Sequence, residues 1–249
     1  MKNTIKLFSM MILAAGLLMA QPVAAQTNKQ QKQENKEMQK KQDELRKQAN
    51  EKAGKKASKE AKKLEREGWK TIGLPIDKQL EETYMKQLEM DETGTYRRYI
   101  CEPAYVTANT YSAAQSMATI AAKLRIASAI STSVAGLAEA NLANKQIDAK
   151  EAVSITEAAE HAKEIVSQKL GRTFTTLEIY KDLSNGNCQL QLMLCYDMKA
   201  AVSIAREVML EELKKTTEIN QEQLEKLLGM DKMLEEVSND RPSYDEIVK

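Results

Sequence analysis

Between Phe174 and Tyr196 two apolar, β-favouring runs flank Ser184-Asn185-Gly186-Asn187. Asn-Gly is the preferred centre of a tight hairpin turn, so this stretch predicts two antiparallel strands, Phe174 to Leu183 and Cys188 to Tyr196, joined by a type I′ turn. Pairing Leu183 with Cys188 would set Ile179 opposite Leu192 and Leu177 opposite Leu194. One face of the hairpin is then expected to be apolar, with Thr176, Glu178, Asp182, Gln189 and Gln191 marking the other. A third strand is expected over 96–106, rich in aromatic and branched residues, with Pro103 suggesting an edge or a bend.

The rest of the chain reads as helix. Asp77 can cap a short helix through Met90, with Leu80, Tyr84 and Leu88 on one face. Residues 110–143 are rich in alanine. Ala113, Met117, Ile120, Leu124, Ala127, Val134 and Leu137 lie close to one helical face, expected to point inward, and Ser112 with Gln115 fits a capping box. A further helix is expected from Asp148 to Leu170, with Ile155, Ala158, Ala162, Ile165 and Val166 on one side and Gly171 placed to stop it. From Met198 a helix directs Ala201, Ile204, Ala205, Val208 and Met209 inward. The fold class these elements imply is α+β: a small antiparallel sheet packed by alanine-rich helices and preceded by a long charged N-terminal helix.

The first 25 residues have the form of a secretory signal peptide. Lys2 and Lys6 precede an apolar run from Leu7 to Ala20, and Val23-Ala24-Ala25 offers the small residues that a signal peptidase reads. That run falls short of the roughly 20 residues needed to span a bilayer. Cleavage is expected after Ala25, leaving no transmembrane span in the mature chain. No cysteine ends the apolar run, so N-terminal lipidation is not expected. The predicted location is periplasmic or secreted.

Charge divides the chain. Residues 26–67 hold 14 Lys or Arg against 8 Asp or Glu, whereas 207–249 hold 6 against 12, although the whole chain is balanced at +1. The basic stretch, with one glycine and no proline, suits a long exposed helical arm or a linker. Its apolar positions recur mostly every four residues, giving at most a thin coiled-coil seam that includes Leu45, Ala49 and Ala53. Gly68-Trp69 marks the expected start of a globular α+β domain over 68–215. A second acidic segment, 216–249, carries Leu224, Leu227 and Leu228. That stripe can bind a partner or pack on its own domain, and packing is the favoured reading.

The three cysteines are Cys101, Cys188 and Cys195. Three in so long a chain do not make a disulfide scaffold, and buried thiols are the favoured state. Cys188 and Cys195 are seven apart in one strand, point to opposite faces, and should not bond each other. If the 96–106 strand neighbours the hairpin, Cys101 and Cys195 become the sensible intrachain pair.

Few motifs carry chemistry. His161 is the sole histidine, with Glu157 and Glu164 a turn away on either side, too few ligands for a structural zinc site. The sequence contains no nucleophile elbow, phosphate loop, dinucleotide fingerprint, His-Glu-x-x-His or Cys-x-x-Cys. No cofactor and no metal are expected. The basic arm alternates bases with acids and has no aromatic residue before Trp69, which disfavours nucleic acid as a partner. Contact of the arm with acidic lipid or polysaccharide is physically easier.

Residues Ala118-Thr119-Ile120-Ala121-Ala122-Lys123-Leu124-Arg125-Ile126-Ala127-Ser128-Ala129-Ile130 resemble the alanine-rich signature helix of the LPP-twenty lipoprotein family, whose pattern falls on Ala118, Ala122, Lys123, Ile126, Ala127 and Ile130. The flanks agree: Tyr99-Ile100 in a preceding strand, and a later hairpin ending in Tyr196 before Met198-Lys199-Ala200-Ala201. The resemblance spans about 68–210 and implies an exported, envelope-associated protein. The chain departs from that pattern in lacking a lipidated cysteine and in carrying the long charged arm. The expected role is a non-enzymatic structural or adaptor component that docks on a protein or on itself, through Leu45, Ala49 and Ala53 or through Leu224, Leu227 and Leu228. The alternatives are a hydrolase using carboxylates in a cleft and a module for a small apolar ligand.

Overall fold

The computed structural model describes residues 51–216 and 228–248. Helix α1 runs over 51–66, followed by β1 (Lys70–Thr71), α2 (Ile76–Leu88), β2 (Tyr99–Ala108), α3 (Tyr111–Ala143) and α4 (Ala149–Lys169). Then come β3 (Phe174–Asp182), β4 (Cys188–Asp197), α5 (Met198–Thr216), α6 (Met230–Asn239) and α7 (Tyr244–Val248). The four strands form one antiparallel sheet in the order β1-β3-β4-β2. The fold is α+β.

Both faces of the sheet are covered. On one, Ile100 and Ala104 of β2 and Leu190, Leu192 and Leu194 of β4 meet α3, behind which α4, α5 and α6 extend the same core. On the other, Leu177 and Ile179 of β3 meet Ala53, Ala57 and Ala61 of α1, Ile76, Leu80 and Tyr84 of α2, and Ile247 of α7.

The hairpin register differs from the sequence expectation by one residue. Ile179 pairs with Gln191 and Leu177 with Met193, so the apolar residues of β3 and β4 face opposite sides. The turn explains the shift. Leu183 N–H donates to Asn187 O at 2.8 Å and Gly186 N–H to Leu183 O at 3.0 Å, and Gly186 alone in the loop has positive φ, at +81°. This is a three-residue loop with a glycine bulge. A type I′ turn would need positive φ at both central residues, and a one-residue slip inverts every side chain. A bulge at Thr175/Leu177 then turns the Thr176 hydroxyl inward, 2.9 Å from that of Thr83.

Helix α3 begins after Thr110, which has extended dihedrals and accepts from Ala113 N–H, so the cap is Thr110 rather than Ser112. Its inward face is also not the expected one. Ala114, Ala118, Ala122, Ile126 and Ile130 are fully buried, as are the expected Val134 and, to within a few per cent, Ala127. Met117, Ile120 and Leu124 are 52, 68 and 41 % exposed. Alanine at every fourth residue lets the backbone approach the Leu190–Leu194 surface, and the larger side chains are turned away from it. By length and composition α3 could cross a membrane, but its alanine face is packed on the sheet.

Helix α4 starts as expected, with a reciprocal capping box between Asp148 and Glu151 and a C-cap at Leu170. Lys123 Nζ donates to Leu170 O at 2.7 Å, placing a cation on carbonyls at the helix end where the dipole favours it.

The domain is larger than 68–215 at both ends. Helix α1 lies in the core rather than in a free arm, and Leu228, Met233, Leu234 and Val237 lie in the α3–α5 core. The tail is held by polar clasps: Arg97 donates to Pro242 O and from its backbone to Ser238 Oγ, Ser133 to Asp240, and Arg241 pairs with Glu102. Lys56 Nζ reaches Ile247 O at 2.7 Å, joining α1 to α7.

The loop after α2 is organised by Asp91. Its carboxylate accepts from the N–H groups of Thr93, Thr95 and Tyr96 and from the Thr93 hydroxyl. Partial desolvation raises its pKa, but these bonds outweigh that effect and hold it at about 2. A carboxylate depressed in the folded state contributes stability above its unfolded pKa of about 4, and that contribution is lost as pH falls through the folded value. Thermal unfolding of wild type and Asp91→Ala should therefore show a gap in Tm at pH 6 that closes between about pH 4 and 2.

Candidate interaction surfaces

The structure separates the residues singled out from sequence. Leu45, Ala49, Leu224 and Leu227 lie outside the described residues. Ala53 and Leu228 do not form exposed stripes: Ala53 is fully buried among α1, α2 and β3, and Leu228 is 1 % exposed against the α3–α5 core, where Arg206 Nε holds its carbonyl at 2.8 Å. Both are covered by their own domain because the apolar lines of α1 and of the C-terminal segment complete its two cores.

Strands β2 and β4 place Cys101 directly opposite Cys195, and the two sulfurs are bonded. The bond lies beside Tyr99, with Met193 packed against it, under the face that carries α2. Cys188 lies seven residues away on the other face, as a buried thiol whose pKa burial pushes up, followed in effect by the charge of Asp182.

His161 is exposed on α4. Among the described residues no three His, Cys, Asp or Glu side chains cluster to hold a metal ion. The carboxylates nearest the sheet serve as anchors: Glu102 pairs with Arg241, and Glu178 accepts from the Tyr111 hydroxyl and from Gln115 Nε2. Burial, then the Glu178 contact, pushes the Tyr111 phenol well above its ordinary pKa, so it stays a donor. Asp91 is displaced downward, opposite to the direction a general acid requires.

Two exposed apolar features stand out. The first is the loop after β1, where Ile72 and Leu74 are exposed beside Gly73, which has φ +104°. Gln79 shapes this loop: its Nε2 donates to Leu74 O and Thr71 Oγ1, and its Oε1 accepts from Glu178 N–H on the β3 edge. A side chain thus occupies hydrogen-bonding positions that an added strand would use.

The second is the Met117, Ile120 and Leu124 line on α3. Sequence reasoning counted these residues as core because their spacing is helical. The signal that separates them is the Ala114, Ala118, Ala122 series, since a row of alanines marks the face of closest backbone approach. Comparison with protein-family models, with curated proteins and with solved structures finds no match to this chain.

Proposed function

We propose that this protein is an exported, non-enzymatic component of the cell envelope that works by docking, as a structural or adaptor element. The observation that carries this reading is the exposed Met117, Ile120 and Leu124 line, set on a rigid helix-on-sheet platform. The Cys101–Cys195 bond supports the address, since such bonds persist in oxidising compartments, and the first 25 residues fit the same route.

The likeness to the LPP-twenty family belongs to this proposal. Of its pattern positions, Ala118, Ala122, Ile126, Ala127 and Ile130 are buried, and Lys123 holds the end of α4. The pattern therefore reads as a packing signature of helix on sheet. The order β2, α3, hairpin, α5 supports it, with α4 inserted between α3 and the hairpin.

The test is cellular fractionation with N-terminal sequencing, combined with light scattering on two purified forms. The chain is expected in the envelope fraction beginning at Gln26. The form from Gln26 is expected to be a defined oligomer, and the form from Gln48, which keeps α1 in its core, a monomer. A cytoplasmic chain still carrying Met1 would overturn export. Two monomeric forms would overturn self-association through residues 26–47.

A further inference from the structure

We propose that the Met117, Ile120 and Leu124 face of α3 seats this protein on an anionic lipid surface, an inference that rests on the exported, docking role given above. The three side chains fall at i, i+3 and i+7, one line about 10 Å long on a helix that lies flat on the sheet. A helix held parallel to its platform can enter the headgroup boundary along its length without leaving the fold.

The charges around the line choose the occupant. From Ala113 to Ala138, α3 carries only Lys123 and Arg125, both basic. Lys123 is bonded to the carbonyls of Leu170 and Gly171 just after α4, which brings the segment carrying exposed Lys169 and Arg172 beside the line. Acids are scarce here: Glu178 and Glu102 on the sheet beneath are engaged, and Glu164 on α4 interacts with Gln168 along its own helix.

An apolar line rimmed by cations matches the chemistry of an interface with anionic headgroups, where each basic residue and each inserted side chain adds to binding. A second copy docked face to face would instead set Arg125 and Arg172 against the same cations. An uncharged peptide would leave them unmatched.

The test uses the chain from Gln26 and flotation with vesicles of phosphatidylcholine, with and without phosphatidylglycerol. Wild type is expected to float with the anionic vesicles and to be released by salt. Met117→Gln/Ile120→Gln/Leu124→Gln and Arg125→Gln/Arg172→Gln should each weaken binding by about tenfold or more. Both keep the basic stretch 26–67 intact, and unchanged circular dichroism shows that they fold. An environment-sensitive dye on Ile120→Cys should shift to the blue on anionic vesicles, and one on Tyr105→Cys, on the opposite face, should not. Binding retained by both variants, or a silent dye at residue 120, overturns the proposal. It is also overturned if the triple variant lowers the solution mass without lipid while vesicle binding persists, because the line is then a self-docking surface. If vesicles are ignored while the chain remains an oligomer in the envelope fraction, only the lipid inference falls and the docking role stands.

Discussion

Unfolding midpoints in guanidinium are expected to drop sharply when the Cys101–Cys195 bond is removed, corresponding to a loss of about 2–5 kcal/mol. The bond links residues 94 apart, and closing a loop of that order removes about 4–5 kcal/mol of chain entropy from the unfolded state. The bond is buried beside Tyr99 and Met193, with Thr176 Oγ1 3.8 Å from Cys195 Sγ. The comparison is between oxidised protein and protein refolded in reductant, both carrying Cys188→Ala so that the third thiol cannot exchange. Equal midpoints would show that the bond does not form. Wild type alkylated in denaturant without reductant should take up one label, on Cys188, and three after reduction.

The second large effect separates the two faces of α3. Ile126→Ala, at a fully buried position between the sheet and α4, should cost about 2–5 kcal/mol, whereas Ile120→Ala, one and a half turns away on the outer line, should change stability by less than about 0.5. Ala122→Leu is the complementary probe. Overfilling the close contact with β4 should cost about 1–3 kcal/mol although leucine is a good helix former. Denaturant titration of the three variants decides the matter. If Ile120→Ala were the costly change and Ala122→Leu neutral, α3 would sit rotated from the orientation described.

These variants also mark where sequence stops being sufficient. Helix and strand positions were legible because they rest on local signals: the Asp148 to Leu170 periodicity stopped at Gly171, the alanine-rich periodicity of 110–143, and Asn185-Gly186 between two β-favouring runs. What was not legible needed a second element. A helix that carries Ala118 on one side and Ile120 on another does not say which side faces the sheet until the sheet is there, because close approach rewards the smaller residue. The hairpin register hung on whether Asn185 adopts positive φ, a choice worth little locally that decides the side on which Leu177 and Ile179 lie. Likewise α1 reads as a solvated arm because Ala53, Ala57 and Ala61 are weakly apolar alone, and they become core only against Leu80, Tyr84 and Ile247. The candidate surface was hidden for the same reason, since an exposed line is defined by what the other elements leave uncovered.

The clasp between α1 and α7 has a consequence for how the chain comes into being. Lys56 and Ile247 are separated by 191 residues, and β1 must wait for β3 before it has a partner. Synthesis proceeds from the N-terminus, so the layer built on α1 cannot take its final packing until α7 has emerged from the ribosome. Pairings this far apart in sequence are slow to form. A nascent chain that has not yet reached Ile247 leaves Ala53, Ala57 and Ala61 without the α7 side of their cover.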